Sequence, residues 1–342
     1  MSTILSNRVQ KVKPSATMAV SDKAKELKSQ GIQIISMGSG EPDFDTPVNI
    51  QKAAITAIGS GDTRYTPADG TAELKKAVCE KFKRENGLDY SLNEVMVSCG
   101  GKQVFYNLCQ AILNEGDEVI IPTPYWVSYP DMAILADATP VFIEAGLEQD
   151  FKITPDQLEA SITDKSKLFV LNSPSNPTGS VYSESEIKAL GEVLKKYPQV
   201  LTISDDIYEH IRWGDDDFVN IAMACPELKD RVVILNGVSK AYAMTGWRIG
   251  YAAGPETVIK AMKKIQGQST SNPSSISQAA ALEAISGDQS FISMMVEAFE
   301  RRHEFLVDSL NAIDGIECPR SGGAFYSFPK VQGLIERIGL KD

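Results

Sequence analysis

The chain alternates between short apolar runs and amphipathic segments that carry helix-capping signals. Thr154 precedes Pro155 and lies three residues before Gln157, and Ser183 lies three residues before Glu186. Both patterns are capping boxes, which begin helices. The apolar runs between such segments predict strands over 94–99, 118–122, 139–143, 167–171, 200–204, 231–235 and 249–253. Strands that alternate with helices predict an α/β domain with a mainly parallel sheet.

The segment 71–86 shows the clearest helical periodicity. Its apolar stripe consists of Leu74, Ala77, Val78 and Phe82. Lys81 is the one polar residue on that stripe. In the residues before this helix we expect an N-terminal arm, a helix over 19–30 and a short strand over 32–37.

Polar, small and aromatic residues follow the ends of several predicted strands. In a parallel α/β sheet, ligands bind in the crevice outside the carboxyl ends of the strands. We therefore expect a single crevice to be lined by Gly100, Gly101, Lys102, Tyr125, Trp126, Asn176, Asp205, Tyr208 and Lys240.

The stretch 236–251 connects the last two strands and carries two informative charges. Lys240 has small or hydroxylated neighbours, and partial burial there would lower its pKa and make its amine nucleophilic. Arg248 offers a planar fork suited to a phosphate. Together they predict an amine that forms a Schiff base beside an anchored phosphate, although a lysine taken alone is more often a solvated surface group.

A second anion site is predicted where Gly100 and Gly101 begin a helix after a strand, because the first amides of a helix have no acceptor within it. The segment is not a Walker A loop, since Met96 stands where the first glycine belongs and Gln103 follows Lys102. An ordinary glycine-assisted turn explains the same pattern equally well.

The predicted crevice contains an amine, an anion site, an arginine, a carboxylate, a phenol, an amide and aromatic rings. A flat, phosphorylated, nitrogen-containing ring with an aldehyde would use all of them, and pyridoxal phosphate is such a molecule. Its aldehyde would bond to the crevice lysine. Asp205 would keep the ring nitrogen protonated, while Asn176 and Tyr208 would bond to a ring oxygen. Trp126 or Tyr125 would cover or flank the ring.

Composition narrows the class of protein. A hydrophobic content of 43% and a charged content of 23% are those of a soluble globular protein. The net charge of −11 argues against binding to nucleic acid or an anionic membrane. No apolar run approaches the roughly 20 residues of a membrane span, and the N-terminus lacks a signal core. Five scattered cysteines favour a reduced, cytoplasmic setting, and two histidines leave little room for a metal site.

Seven motifs between Ser6 and about Phe328 carry a family resemblance. They are Gly-Glu-Pro-Asp-Phe (40–44), Arg-Tyr-Thr-Pro (64–67), Gly-Gly-Lys-Gln (100–103), Pro-Tyr-Trp-Val-Ser-Tyr-Pro (124–130), Asn-Ser-Pro-Ser-Asn-Pro-Thr-Gly (172–179), Ser-Asp-Asp-Ile-Tyr-Glu (204–209) and Ser-Lys…Met-Thr-Gly-Trp-Arg-Ile-Gly-Tyr (239–251). In this order they resemble the class I/II pyridoxal-phosphate-dependent aminotransferases of fold type I, and among these the bacterial aspartate aminotransferase branch.

The resemblance implies a catalytic set of Lys240, Asp205 and Tyr208. Lys240 would form the internal aldimine and then move the proton between substrate and cofactor. Asp205 would pair with the pyridinium nitrogen, and Tyr208 with Asn176 would bond to the ring hydroxyl. Trp126 would contact the cofactor ring. The phosphate would be held by Gly101, Lys102, Gln103, Ser239 and Arg248.

The resemblance also implies a homodimer with shared active sites, because Tyr65 would reach the phosphate of the neighbouring subunit. Gly40, Trp126 and Asn176 would touch the substrate, and the ammonium of Lys102 would meet a side-chain carboxylate. No metal and no nucleic acid are expected.

The implied fold is that of fold-type I transferases, with a seven-stranded, mainly parallel sheet in a large domain and a smaller α+β domain. We expect an N-terminal arm and small-domain segment over 1–45 and the large cofactor-binding domain over 46–290. The start of a C-terminal small domain would occupy 291–342.

Two departures from the family pattern stand out. Family members normally continue well past Ser327 and carry an arginine there that binds the substrate α-carboxylate, but these 342 residues contain no such segment. We expect a truncated sequence rather than a protein without a complete small domain; a chain ending at Asp342 would bind cofactor and lose most activity. Gly237 also stands where some relatives have a phosphate-binding serine, so Ser239 and the helix amides would have to suffice.

The implied reaction is ping-pong transfer of an amino group from an L-amino acid, best matched by L-aspartate, to 2-oxoglutarate. Alternatives on the same fold are transaminases for aromatic amino acids, alanine or prephenate, cyclopropane-carboxylate synthases and C–S lyases. A non-catalytic cofactor-binding homologue is the alternative of another class. Such regulators are mostly fused to a DNA-binding segment, which neither the sequence nor its charge indicates.

Overall fold

The computed structural model describes residues 4–14, 16–38, 40–214 and 216–340. Residues 1–3 and 341–342, at the outer ends of the two predicted small-domain segments, lie outside the described residues.

A seven-stranded sheet forms the centre of the molecule. Its strands are β1 Val95–Ser98, β2 Glu118–Thr123, β3 Thr139–Glu144, β4 Ser166–Asn172, β5 Leu201–Asp205, β6 Val232–Gly237 and β7 Gly250–Ala253. They lie in the order β1-β7-β6-β5-β4-β2-β3. Strands β2 to β6 pair in parallel, and β7 runs antiparallel to both of its neighbours. The prediction of an α/β fold with a mainly parallel sheet is confirmed.

Helices cover both faces of the sheet. They are α1 Asn7–Lys11, α2 Ala16–Ser29, α3 Val48–Gly59, α4 Ala72–Asn86, α5 Gly101–Ile112, α6 Ser128–Leu135, α7 Pro155–Ser161, α8 Glu184–Lys195, α9 Ile221–Ala224, α10 Glu256–Gln268, α11 Ser275–Ser286, α12 Ser290–Asn311 and α13 Gln332–Arg337. No helix within the described ranges is long and apolar enough to cross a membrane.

Successive strand residues enter two different hydrophobic cores. Along β6, Val232 and Ile234 pack with α3, α4, α8 and α11, whereas Val233 and Leu235 pack with α5, α6 and α10. Side chains of a strand point alternately to opposite faces, so a sheet with two covered faces needs an unbroken apolar run. This requirement explains why the strands were readable from the sequence.

Local signals set most helix starts as predicted. The Thr154 backbone N–H donates to Gln157 Oε1 (2.9 Å), and the Ser183 N–H donates to Glu186 Oε2 (2.7 Å), so both capping boxes are confirmed. The helix expected over 19–30 begins earlier, as α2.

The strand predicted over 32–37 is wrong. This segment is not part of the sheet, and Ile35 and Met37 are 91% and 76% exposed. An apolar run becomes a strand only where a partner strand accepts its hydrogen bonds.

Lys81 is also more than a polar interruption of the α4 stripe. Its side chain is buried, and the ammonium pairs with Glu209, which follows β5. A buried lysine needs such a partner because desolvation of a charge is costly.

Strand β7 lies so close to the start of α5 that only glycine fits at position 250. A Cβ there would overlap the Gly101 nitrogen and lie 2.5 Å from the Gly100 carbonyl carbon. Both contacts are with backbone, which cannot rotate away. The glycine therefore lets the sheet and the first turn of α5 meet.

Replacing Gly250 with alanine should lower the free energy of unfolding by about 1–3 kcal/mol, because the added methyl overpacks a backbone contact. Urea denaturation at neutral pH measures the loss. The matched control is Gly267→Ala in α10, where no atom lies within 4 Å of the new Cβ. That variant should be unchanged or up to about 1 kcal/mol more stable. Equal unfolding free energies for the two variants would contradict the prediction.

Candidate active site

A cavity of about 540 Å³ opens at the carboxyl ends of β4, β5 and β6 and beside the start of α5. Of the predicted site residues it brings together Gly40, Gly101, Lys102, Trp126, Asn176, Asp205, Tyr208, Ser239, Lys240 and Arg248. The prediction that groups after strand ends share one crevice is confirmed for Gly101, Lys102, Tyr125, Trp126, Asn176, Asp205, Tyr208 and Lys240, whereas Gly100 does not line the cavity. The volume of this cavity is typical of a small-molecule binding site.

Lys240 enters the cavity from the loop between β6 and β7. Its ammonium donates to the Gly40 carbonyl and lies 5.9 Å and 5.8 Å from the ring centres of Tyr208 and Phe325. Burial lowers the pKa of Lys240 to about 8, although Glu41 opposes the shift. With this pKa, about a tenth of the amine is unprotonated at pH 7, far more than for a lysine of ordinary pKa, and this fraction is available for nucleophilic chemistry.

Asp205, the last residue of β5, faces the same cavity and is buried. Burial raises its pKa to about 6, even though Tyr129 O–H donates to Oδ2 (2.5 Å) and Ile207 N–H donates to Oδ1 (3.3 Å). A carboxylate in this environment would gain from a cationic partner such as a protonated ring nitrogen.

Tyr129 was not among the predicted site residues. It lies in the quoted motif 124–130, but its position in α6 rather than at a strand end hid its contact with Asp205.

Tyr208 and Tyr326 meet inside the cavity, with 2.5 Å between their hydroxyl oxygens. Burial raises the pKa of Tyr326 to about 12, so its phenol stays protonated at neutral pH. A Cβ at Gly40 would lie 2.5 Å from the Tyr326 hydroxyl, which explains the glycine there. Tyr326 and its neighbour Phe325 were also missed. The signal was an aromatic pair after two glycines, far in sequence from any strand.

Helix α5 presents its N-terminus to the cavity. Gly100 has φ +87°, and a Cβ on it would overlap the Arg248 guanidinium. The amides of Gly101 and Lys102 occupy the first helical positions, where an α-helix supplies no acceptor. The Gln103 amide instead donates to Gly100 O (3.1 Å), and this residue does not line the cavity. The geometry thus favours Gly101 and Lys102 as the anion-binding amides.

The last residue of β6, Gly237, has no room for a side chain, and the loop to β7 follows it. A Cβ on Gly237 would lie 2.9 Å from Ile249 O and 3.0 Å from Gly250 Cα, both backbone atoms. Ser239, which is buried at the cavity wall, is the hydroxyl that this loop offers instead.

Lys102 and Trp126 form the outer wall. The Lys102 ammonium lies 5.2 Å from the Trp126 ring centre, a cation–π contact. Burial, with the neighbouring charge of Arg248, lowers the pKa of Lys102. Burial and the charge of Arg248 both disfavour an unpaired ammonium, so both favour binding of an anion beside Lys102.

Of the two remaining predicted residues, Asn176 lines the cavity and Tyr65 does not. The Asn176 N–H donates to Asn172 Oδ1 (2.8 Å), and Asn172 Nδ2 donates to Asp205 O (2.9 Å), so one side chain ties the loops after β4 and β5 together. The Tyr65 ring is 92% exposed and does not line the cavity of its own chain.

Comparison with known proteins agrees with this geometry. Residues 32–337 match the family described as "Aminotransferase class I and II". The chain is 59% identical to the aspartate/prephenate aminotransferase of Nitrosomonas europaea over 98% of this chain and 85% of that protein.

Solved structures are similar as well. The aspartate aminotransferase from Rhizobium meliloti superposes with a TM-score of 0.94 at 48% identity, covering 97% of this chain and 83% of that one. The Thermus thermophilus aspartate aminotransferase with maleate gives 0.92 at 43% identity, covering 96% and 85%. The chain therefore belongs to the class I and II aminotransferases of fold type I, and it is a pyridoxal-phosphate-dependent transaminase.

Proposed function

We propose that the cavity attaches pyridoxal phosphate through Lys240 and transfers the amino group of L-aspartate to 2-oxoglutarate. One observation carries the proposal: a lysine amine with a pKa of about 8 shares a cavity with a buried carboxylate and a helix N-terminus. These three groups match the aldehyde, the ring nitrogen and the phosphate of the cofactor. The bound cofactor would supply an electron sink for the substrate Cα carbanion.

Each residue of the cavity would have a distinct task. Lys240, as a free amine, would attach the cofactor and then carry the proton removed from the substrate Cα. Asp205 would keep the ring nitrogen protonated, and Tyr208 would donate toward the ring oxygen with Asn176. The phosphate would be held by Gly101, Lys102, Ser239 and Arg248.

An acidic substrate is supported by the wall formed by Lys102 and Trp126. The Lys102 ammonium would meet the side-chain carboxylate of aspartate, with a tryptophan face excluding water beside it. Gly40 and Asn176 would contact the rest of the substrate.

Prephenate is the second candidate substrate. Its ring also carries a carboxylate, and the cavity adds the aromatic side chains of Tyr125, Phe325 and Tyr326. The relative from Nitrosomonas europaea is described as an aspartate/prephenate aminotransferase. A carboxylate on an apolar ring would suit a wall that combines a cation with aromatic faces.

We further propose a cytoplasmic homodimer in which Tyr65 completes the partner's phosphate site. The almost fully exposed ring of Tyr65 supports this, since a free aromatic surface is a common interface element. The division into an arm over 1–45, a large domain over 46–290 and a small-domain segment over 291–342 belongs to the same proposal.

A half-reaction followed by absorbance tests the function. L-aspartate added to the protein loaded with pyridoxal phosphate should convert the lysine-bound spectrum to that of pyridoxamine phosphate, and 2-oxoglutarate should restore it. Lys240→Ala is the control, which should lack the lysine-bound spectrum. Wild-type protein without that spectrum would refute cofactor attachment; a spectrum unchanged by aspartate, glutamate and prephenate's amino product would refute the transamination proposed here.

Replacing Lys102 with alanine should reduce kcat/KM for aspartate about 10- to 100-fold more than for phenylalanine. The estimate follows from about 1.5–3 kcal/mol for a hydrogen bond to a charged group. Lys264→Ala, which removes an exposed lysine of α10, is the control and should leave both values unchanged. Equal losses for the two substrates would contradict the assignment of Lys102.

Lys240→Met should stabilise the cofactor-free protein by about 3 kcal/mol at pH 7, because the folded pKa of Lys240 lies near 8 rather than 10.5. Below pH 8 the wild-type protein must bury a charged amine, whereas above 10.5 the amine is neutral in both states. The gain should therefore shrink as pH rises from 8 to 10.5. Urea titrations across this range measure it; a gain that does not depend on pH would contradict the buried-amine argument.

A further inference from the structure

The turn after β5 has two sides. Asp205 and Tyr208, three residues apart, face the cavity. Asp206 and Glu209, also three residues apart, are 1% and 5% exposed and do not line the cavity. Contacts made by the interior residues of this turn can therefore set the position of the residues that face the cavity.

The interior side is held by a dense set of bonds on Glu209. Its Oε1 accepts from Asn236 Nδ2 (2.8 Å) and from the ammonium of Lys81, and its Oε2 accepts from Asn86 Nδ2 (3.1 Å). Asn236 in turn accepts from the Gly237 N–H through Oδ1 (2.7 Å). Helix α4, the turn and strand β6 are thus joined at one carboxylate.

Lys81 supplies the cation of this cluster. Its ammonium also donates to Asn86 Oδ1 (2.9 Å) and lies 3.4 Å from Glu85 Oε2. Burial alone would raise the pKa of Glu209, but Lys81, His210 and Asn86 together hold that pKa below the usual value. His210 contacts both carboxylates as well, at 2.9 Å from Glu85 and 3.6 Å from Glu209. Lys81 is within ion-pair distance of both carboxylates.

The cluster lies beside both halves of the catalytic apparatus. Glu209 directly follows Tyr208, and Asn236 is four residues before Lys240. The Asn236–Glu209 bond therefore spans the turn that carries the phenol and the strand that delivers the amine. A second bond, from Asp206 N–H to Leu235 O (2.9 Å), runs parallel to it.

We propose that Lys81 and Glu209 are positioning residues, which use the bond to Asn236 to fix the Tyr208 turn relative to the Lys240 loop. The inference rests on the proposed function in taking Tyr208 and Lys240 as the residues that meet the cofactor. Lys81 keeps Glu209 ionised and oriented in a buried site. Glu209 then presents one oxygen to α4 and shares the other with β6.

A purely structural ion pair behaves differently. Replacing both members of a buried pair with neutral side chains of similar volume is often neutral for stability. Two double variants separate the possibilities. Lys81→Met/Glu209→Gln keeps an amide oxygen that can accept from Asn236, whereas Lys81→Met/Glu209→Met removes it. Both variants lose the same two charges.

Hydrogen exchange on the cofactor-free protein gives the first measurement. In the Glu209→Met double variant, segments 205–211 and 236–244 should exchange together, at least about 10-fold faster than in wild type. The Glu209→Gln double variant should stay within about threefold of wild type. Equal exchange in the two double variants, or faster exchange in only one segment, would overturn the inference. This readout needs no bound cofactor, so it is separate from failure of the proposed function.

The loaded enzyme gives the second measurement. The pH midpoint of the cofactor absorbance should shift by about one unit in the Glu209→Met double variant, and kcat should fall about 10-fold or more with KM for aspartate nearly unchanged. Glu85→Gln, in the same cluster but not bonded to β6, should match wild type. If the methionine double variant does not fold, Asn236→Ala breaks the same link and should show the same shift. A wild-type midpoint in each folded variant that lacks the link would overturn the inference.

Discussion

The site depends on the burial of two opposite charges in one cavity. Desolvation disfavours every ion, so it lowers the pKa of Lys240 to about 8 and raises that of Asp205 to about 6. Each group is thus brought toward neutrality by the same physical effect. Buried charged groups lower the stability of a protein. Two of them at the ends of adjacent strands therefore mark a functional site.

The sheet makes that burial possible. Parallel strands end at one edge, so Asp205 at the end of β5 and the loop after β6 lie side by side without long connections. Antiparallel β7 then carries the chain back past the start of α5, which brings Arg248 against Gly100. Gly237 and Gly250 occur where backbones approach too closely for a Cβ, and at Gly100 a Cβ would overlap the Arg248 guanidinium. These contacts shape the anion side of the cavity.

Sequence reasoning recovered what is encoded locally. Capping boxes involve residues three apart, and unbroken apolar runs mark strands buried on both faces, so the sheet and most helices followed. The strand-end rule then selected most of the cavity lining, including Lys240 and Trp126. It overlooked Tyr129 and Tyr326, because one lies within a helix and the other comes from a segment more than one hundred residues after Tyr208. The strand predicted over 32–37 was wrong for a related reason. Whether an apolar run forms a strand depends on a neighbouring strand that can pair with it, and the run itself does not encode that neighbour.

At Lys81 the helical periodicity and the charge of the side chain predict different environments. On the α4 stripe, its position predicted burial and its charge predicted exposure, and nothing in α4 decided between them. The answer lies 128 residues away in Glu209, which needs a cation as much as Lys81 needs an anion. Because the two ions satisfy each other only in the folded chain, their pairing adds a requirement that hydrophobic periodicity does not contain. The turn bearing Tyr208 is consequently bonded on both sides, to Lys81, Asn86 and Asn236 through Glu209 in the interior and to Tyr326 through the Tyr208 hydroxyl in the cavity.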